Sequence, residues 1–279
     1  IDCYFRDLVS ETQMKRPLIT VLVNLTVISL GMLSLLAPFL FEDARNYGYT
    51  NSAFPLTVSL VLILCILLIL FDVQTSLLDS KLIAFLGVLI AINAGGRFLE
   101  NALPGPAGFS PTFFLIILVG YTFGGHLGFL MGAMTMFVSG VITGGVGPWL
   151  PGQMITAGWV GQSAAVLKPI VKAVNGEGKA IEVIVLSAFG AFWGMLYGLI
   201  MNLWFWPFLT GVAGQSWLPS AGLIENLQRY GAYHIATSVI WDVTRSVGNV
   251  LITLGLARPV MKIFQRFQVR FSFTMKEAE

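Results

Sequence analysis

Among the ionisable side chains inside apolar stretches of the 279-residue chain, three are the first candidates for chemistry. Arg97 is near the end of one apolar run, and Asp242 and Arg245 lie three residues apart in the last one. A charge at membrane depth is costly and usually faces a bundle interior or a cavity. These residues are therefore candidates to contact a polar ligand. A structural ion pair, of Asp242 with Arg97 or with Arg245 at i,i+3 spacing, is the open alternative.

The segment GGVGPWLPGQ supplies two further candidates. Pro148 and Pro151 fix their own backbones and the interspersed glycines permit positive φ, so no regular helix is expected there. Trp149 can stack on a planar ligand, and Gln153 can hydrogen-bond one. For Trp149, as for Trp217 further along, the alternative is a place in an interfacial aromatic belt.

The other polar residues form no recognisable catalytic or metal constellation. The chain has two histidines and two cysteines, with no HExxH or CxxC spacing, no Ser-His-Asp order and no P-loop. His234 and Asp242 would lie about 12 Å apart on a continuous helix that rises 1.5 Å per residue. Proton transfer needs hydrogen-bond reach. An intramembrane lipid-modifying enzyme is therefore a rival interpretation without a matching site.

The composition indicates that membrane helices position these residues. Hydrophobic residues make up 56% of the chain and charged residues 11%, against about 25% charged in a soluble domain. The net charge of +2 predicts no nucleic-acid partner, because a basic patch would need most of the lysines and arginines in one place. We expect an all-α integral membrane protein.

Eight apolar runs approach the length of about 20 residues that crosses a bilayer. The runs are 17–40, 54–71, 82–99, 111–123, 128–142, 154–174, 181–208 and 232–264. The first two define an N-terminal extension, residues 1–80, ahead of a six-helix core, residues 81–279.

With the N-terminus inside, twelve of the sixteen basic residues fall on the inner side, so both termini are expected in the cytoplasm. The long outer segment 210–233 is a candidate lid.

The third run carries a stripe of small residues. Gly87, Ala91 and Gly95 recur at four-residue spacing, beside Asn93 and Arg97. Small residues let two helix backbones approach closely in lipid. The stripe is either a docking face for a partner membrane protein or a site of close packing within this chain.

The sequence from Gly95 to Leu167 resembles the substrate-binding S-components of energy-coupling factor (ECF) vitamin transporters. The matching features are GRFLENALPG, the helix pair GxxxGFLxGAxxxxxS and the segment GPWxPxQMxxxGWVG. The last is the most specific, and the group that it most resembles is the one assigned to cobalamin and related corrinoids. The resemblance covers about residues 82–264 as six core helices, with the two preceding spans outside the usual pattern.

The resemblance implies a protein of the prokaryotic plasma (inner) membrane that binds a vitamin tightly on its outer face. It would dock onto a transmembrane coupling protein that carries two cytoplasmic ATPases. The chain is then not an enzyme, and it holds no cofactor, metal or catalytic residue of its own, since the vitamin is the transported substrate. Docking in this family uses small residues on the first core helix, so Gly87, Ala91 and Gly95 are the predicted docking residues.

The predicted substrate-binding residues share polar or aromatic character near the outer ends of the core helices. They are Asn93, Arg97, Trp149, Gln153, Trp217, Tyr230, Asp242 and Arg245. Amides and aromatic planes suit a corrinoid, and they also suit riboflavin, thiamin or a queuosine precursor. A secondary transporter is a further rival, although the chain shows no convincing internal repeat.

Overall fold

The computed structural model describes residues 80–102, 110, 112–147, 149–208, 212–218 and 220–276, with residues 25–26, 28–33, 36, 60, 63–64 and 67. These residues are mostly helical and include no strand, which confirms the all-α prediction. Four of the described helices are long and apolar enough to span a membrane. The predicted runs 17–40 and 54–71 fall largely outside the described residues, so the count of eight crossings stays a prediction.

From residue 80 onward, the described part of the chain contains eight α-helices. They are α1 (Ser80–Ala102), α2 (Phe113–Phe123), α3 (Gly125–Thr143), α4 (Leu150–Ala164), α5 (Leu167–Ala173), α6 (Ala180–Phe205), α7 (Leu223–Thr237) and α8 (Val239–Lys276). A 3₁₀ turn, Trp206–Phe208, follows α6. The long helices alternate in direction. The end of the bundle where α1 ends and α2 begins is called the Glu100 end, and the opposite end is called the Lys81 end.

The central helix is α2, which explains why it is shorter than a bilayer span. Nine of its eleven residues are buried, and it contacts α3, α4, α6 and α8. Eleven helical residues cover about 16 Å, against a hydrocarbon core of about 30 Å. Because neighbouring helices surround α2, it does not have to match the thickness of the lipid.

The helices α3 and α4 touch through their backbones. A Cβ on Gly128 would meet the Gly161 carbonyl oxygen, and a Cβ on Gly161 would meet the Gly128 carbonyl oxygen. A Cβ on Gly132 would likewise meet the Ala157 backbone. Only glycine permits this approach. The glycines that carried the family resemblance are therefore the residues that let these helices cross.

The predicted span 154–174 begins too late and is not a single helix. The helix α4 begins at Leu150, with Pro151 in its first turn, so part of the Gly-Pro segment is helical. A proline is tolerated there because the first-turn N–H groups have no intrahelical acceptor. α4 then ends at Ala164, and a turn separates it from the short α5. The predicted span is thus two helices.

The predicted span 232–264 is also divided differently. The backbone leaves helical geometry at Ser238, where φ is −130°, and α8 begins at Val239. Residues 232–237 therefore belong to α7. The predicted outer segment 210–233 contains most of this helix.

The basic side chains are distributed unequally between the two ends. Those toward the Lys81 end are Lys81, Lys168, Lys172, Lys179, Arg258, Lys262 and Arg266, whereas Arg97, Arg229 and Arg245 lie toward the Glu100 end. Basic residues collect on the cytoplasmic side of membrane proteins. The distribution favours a cytoplasmic Lys81 end, and the placement of the termini stays a prediction.

Candidate functional site

The start of α2 is the point where several helices meet at the Glu100 end. Asn93 of α1 donates from Nδ2 to the Thr112 carbonyl oxygen at 3.1 Å and to the Thr135 hydroxyl of α3 at 3.3 Å. From the other side, Asn249 Nδ2 of α8 lies 3.5 Å from the Ser110 carbonyl oxygen. These contacts from α1 and α8 fix where α2 begins.

Arg97, one turn beyond Asn93, has a guanidinium that donates to no strong acceptor among the described residues. Its Nη1 lies 2.9 Å from the Met136 thioether, which is a weak acceptor. Its Nε is buried and has no hydrogen-bond partner among the described residues. The Glu100 carboxylate interacts with the Ser110 hydroxyl and, electrostatically, with Arg97. Arg97 therefore retains a buried donor that can serve a ligand.

Asp242 is nearly inaccessible, with 1% of its surface exposed. Its Oδ1 accepts a hydrogen bond from Arg245 Nη1 at 2.6 Å. Arg245 Nη1 also lies 3.2 Å from the Gly194 carbonyl oxygen, and the guanidinium carbon lies 5.4 Å from the Tyr197 ring centroid. The i,i+3 ion pair that the sequence left open is thus formed. Arg97 is not the partner of Asp242.

His234 reaches Asp242 because the chain breaks at Ser238. Its Nε2 lies 3.5 Å from Asp242 Oδ2. The expected separation of about 12 Å assumed one continuous helix and is wrong. Asn202 of α6 completes the junction, since its amide lies 3.0 Å from His234 Nδ1 and contacts the Ser238 hydroxyl. The distance argument against acid–base chemistry therefore fails, and other observations must settle the class of protein.

The helix α7 turns a polar face inward and an apolar face outward. Asn226, Tyr230 and His234, spaced four residues apart, are buried. The Tyr230 hydroxyl donates to the Leu199 carbonyl oxygen at 2.6 Å, and burial raises the pKa of Tyr230, which keeps that donor protonated. The large side chains exposed on the opposite face are Leu223, Ile224, Leu227 and Ile235. Hydrogen bonds therefore contribute much of what holds α7 against the rest of the bundle.

A ring cluster connects α7 to the segment that follows α6. Trp206 is fully buried, and its ring centroid lies 5.4 Å from that of Trp217 and 5.3 Å from that of Tyr230. Tyr230 in turn stacks on His234, with 5.9 Å between the centroids. Two predicted residues, Trp217 and Tyr230, are therefore linked through His234 to Asp242.

Trp149 and Gln153 lie in a separate region, at the connection between α3 and α4. Trp149 is 44% exposed and donates from Nε1 to the Gly145 carbonyl oxygen at 3.1 Å. Gln153 is partly buried in the first turn of α4. An apolar cavity of about 450 Å³ adjoins them, lined by Ile63, Leu67, Met134, Phe137, Val146, Gly147, Leu150, Pro151 and Met154. The predicted site residues thus fall into two groups.

The small-residue stripe of α1 faces outward. A Cβ on Gly87 or on Gly95 would meet no atom of the described residues within 4 Å, and Ala91 is exposed. The helix α1 packs mainly on α3. Close packing against the described part of the chain therefore does not account for this stripe.

A second stripe, which sequence reasoning missed, brings α6 and α8 together. A Cβ on Gly190 would lie 3.4 Å from Asn249 Cβ, one on Gly194 would meet Ser246, and one on Gly198 would meet the Asp242 carboxylate. Their four-residue spacing matches that of the α1 stripe and was the signal that could have found them. Tyr197, also missed, carried no such signal, because a tyrosine in an apolar run is common.

The fold and the site define an all-helical, multi-pass membrane protein with a buried polar cluster at one end. A family model, described as the ECF transporter, substrate-specific component, matches residues 81–257, more than half of the chain. The chain belongs to this family. No curated protein and no solved structure matches it.

Membership of the family settles the class of activity. Members capture a substrate for ECF transport, so the chain is a transporter substrate-binding subunit and not an enzyme. They bind the transported substrate rather than a cofactor. The family also implies association with the ECF module, which consists of a T component and ATPases.

Proposed function

We propose that this protein captures a vitamin on the outer face of a prokaryotic plasma (inner) membrane and delivers it with a coupling protein and two cytoplasmic ATPases. The observation that carries the proposal is the cluster of Arg97 and Arg245 around the buried Asp242 at one end of an apolar bundle, in a chain of this family. Intramembrane charges are costly and usually functional. The basic residues toward the opposite end support a cytoplasmic location for that end and for both termini.

Cobalamin or a related corrinoid is the favoured substrate, with riboflavin, thiamin and a queuosine-type precursor as alternatives. The sequence of the α3–α4 connection favours the cobalamin-type group. Gln153 supplies an amide group and Trp149 a planar face, while Asn93, Trp217 and Tyr230 hold the surrounding helices in place. A corrinoid combines a large ring with amide side chains, so it can use both kinds of residue.

The predicted site residues have different roles in this proposal. Arg97 contacts the substrate directly through its unused donor. Asp242 positions Arg245 through their 2.6 Å contact, and Tyr230 and Trp217 hold α7 against that pair. Asn93 fixes the start of α2, while Trp149 and Gln153 form a separate outer contact for a large ligand.

The docking face for the coupling protein is the open stripe of Gly87, Ala91 and Gly95. A helix that lies against these residues can approach the α1 backbone closely. Residues 1–80 form a separate two-span extension ahead of the substrate-binding core, residues 81–279.

The first experiment is to purify the tagged protein from mildly solubilised membranes of its native host and identify its partners by mass spectrometry. A coupling membrane protein with two ATPases, present in stoichiometric amounts, is the expected result. Absence of any stoichiometric ATPase would contradict the proposed assembly. A mock purification from the untagged strain removes proteins that bind the resin.

A substitution experiment then tests the placement of the site. Arg97→Ala and Trp149→Ala are each expected to weaken vitamin binding, and Arg229→Ala is the matched control. Arg229 pairs with Glu225 at 2.9 Å on exposed α7 surface, so its loss should leave affinity unchanged. Binding is measured by calorimetry with cyanocobalamin and riboflavin as probes. Unchanged affinity in both test variants would place the site elsewhere.

A further inference from the structure

Four formal charges of described residues lie around the start of α2, and they balance. Arg97 and Arg245 are positive, and Glu100 and Asp242 are negative. Asp242 contacts Arg245 directly, while the Glu100 carboxylate interacts with both guanidinium groups. His234 adds a charge only when it is protonated. A ligand group that carries a full charge would therefore upset a balanced set, and an uncompensated buried charge is strongly destabilising.

Besides Asp242 Oδ2, which lies 3.5 Å from His234 Nε2, three buried polar atoms in the same region lack a hydrogen-bond partner among the described residues. They are Nε of Arg97, the hydroxyl oxygen of Tyr197 and Oδ1 of Asn249. Tyr197 is 7% exposed and Asn249 is fully buried. Buried polar groups are normally hydrogen-bonded, so three unmatched atoms in one region require an explanation. Two of them can donate, and the third is an acceptor.

The three side chains border the same short segment. The Tyr197 ring centroid lies 5.0 Å from that of Phe113, and Tyr197 interacts electrostatically with Arg97. Asn249 Nδ2 lies 3.5 Å from the Ser110 carbonyl oxygen. Arg97 is one turn from Asn93, which bonds the Thr112 carbonyl oxygen. The three side chains therefore approach the start of α2 from α1, α6 and α8.

We propose that the transported substrate presents an uncharged amide-type edge to Arg97, Tyr197 and Asn249. Its carbonyl oxygen accepts hydrogen bonds from Arg97 Nε and the Tyr197 hydroxyl, and its adjacent N–H donates to Asn249 Oδ1. The inference rests on the proposed function and narrows the class of substrate that the protein can transport. Corrinoid carboxamides and the imide edge of a flavin fit this requirement, whereas a carboxylate, a phosphate or the thiazolium cation of thiamin does not.

The test compares probes that differ only at the amide edge. The full chain in lipid nanodiscs is titrated calorimetrically with cyanocobalamin, riboflavin and thiamin. Each amide-bearing probe has a blocked partner: cyanocobalamin with carboxamides hydrolysed to carboxylates, and N3-methylriboflavin. At least one amide-bearing probe should bind more than about tenfold tighter than both its blocked partner and thiamin, since a site left with unpaired polar groups rejects an analogue. Equal affinity of the bound probe and its blocked partner would overturn the inference.

A pair of matched substitutions separates ligand recognition from folding. Tyr197→Phe removes a hydroxyl without a described partner, so it should weaken binding of the amide probe about tenfold, the loss expected for a buried hydrogen bond, and leave the melting temperature unchanged. Tyr121→Phe is the control, because the Tyr121 hydroxyl donates to Glu182 at 2.6 Å toward the Lys81 end. It should lower the melting temperature and leave affinity unchanged. Wild-type affinity in Tyr197→Phe would contradict the proposal.

The outcomes distinguish this inference from the proposed function. If the coupling protein and ATPases co-purify but thiamin or a blocked probe binds best, or no amide probe binds, the transport assignment stands and the amide inference is wrong. If an amide probe binds and responds to Tyr197→Phe but no ATPase co-purifies, the inference stands and the assembly with ATPases is wrong.

Discussion

Two stripes of small residues with the same spacing have different surroundings in this molecule. Gly190, Gly194 and Gly198 of α6 lie against α8, where an added Cβ would meet Asn249, Ser246 and Asp242. The stripe of Gly87, Ala91 and Gly95 on α1 has no described neighbour at its glycines. Four-residue spacing of small side chains thus predicts that a close approach is possible. It does not predict whether the approaching helix belongs to the same chain.

Polar contacts accompany the stripe of Gly190, Gly194 and Gly198, called the closed stripe because α8 lies against it, whereas the α1 stripe is called the open stripe. Ser246 donates from its hydroxyl to the Ala191 carbonyl oxygen at 2.9 Å, and Arg245 contacts the Gly194 carbonyl oxygen at 3.2 Å. Interhelical hydrogen bonds of this kind help to hold helices together in lipid. The closed stripe therefore combines close backbone approach with hydrogen bonds, whereas the described contacts of the open stripe include neither.

A bulky substitution in the closed stripe is expected to have the largest effect, which is a loss of folded protein. In Gly194→Leu the new Cβ would lie 2.7 Å from Ser246 Cα and 2.9 Å from its backbone nitrogen, so α6 and α8 must separate. Overpacking of this kind costs about 1–3 kcal/mol and sometimes more, and here it also displaces the Asp242–Arg245 pair. We expect little monodisperse protein on size-exclusion chromatography in mild detergent.

The control for this substitution is Gly255→Leu on α8. A Cβ there meets no described atom within 4 Å, so this variant should elute and melt like the wild type. Normal elution and melting of Gly194→Leu would show that the closed stripe tolerates bulk, and the contrast between the two stripes would disappear.

An intermediate effect is expected on the open stripe. Ala91→Leu and Gly95→Leu should abolish co-purification of the coupling protein while vitamin affinity stays unchanged, because the added bulk blocks only an external helix. Gly96→Leu is the matched control, since Gly96 is equally open but lies on the ridge of Val88 and Ile92, whose exposed side chains are already large. A complex that still assembles with both test variants would rule out this docking face.

The smallest effect is expected from Ser246→Ala. The variant loses the hydroxyl contact between α8 and α6 but keeps the small volume, so the stripe stays closed. Interhelical hydrogen bonds in membrane proteins average about 0.6 kcal/mol, which predicts a small decrease in the free energy of unfolding in a denaturant titration. A loss as large as that of Gly194→Leu would mean that the hydrogen bond, and not the absence of side chains, holds the crossing.

The sequence predicted the helical class well because composition and run length are local properties. It predicted the helix ends less well. In the sequence Pro151 argues against a helix, yet a proline in the first turn is compatible with one. The break at Ser238 was missed because no proline or glycine marks it, and contacts of Asn202 with His234 and Ser238 hold the chain there instead.

The sequence predicts best those residues of the candidate site whose side chains are rare in membrane helices. Arg97, Asp242 and Arg245 stand out because charges are rare in apolar runs. Tyr197 does not stand out, and its place beside Arg245 depends on how α6 and α8 pack. The role of His234 depended on the helix break, so no reading of residue spacing along one helix could have placed it against Asp242.

The crossing of α3 and α4 has a consequence for how backbone carbonyl groups are satisfied inside a bilayer. One α-hydrogen of Gly128 points toward the Gly161 carbonyl oxygen, and one of Gly161 points toward that of Gly128, since a Cβ in those directions would meet these oxygens. Such Cα–H···O contacts contribute about 0.5–1 kcal/mol each, and hydrocarbon offers no water to compete for the oxygens. The backbone of each helix thereby takes the place of solvent around the other. In an NMR spectrum, the α-protons of labelled glycines at this crossing should show shifted resonances.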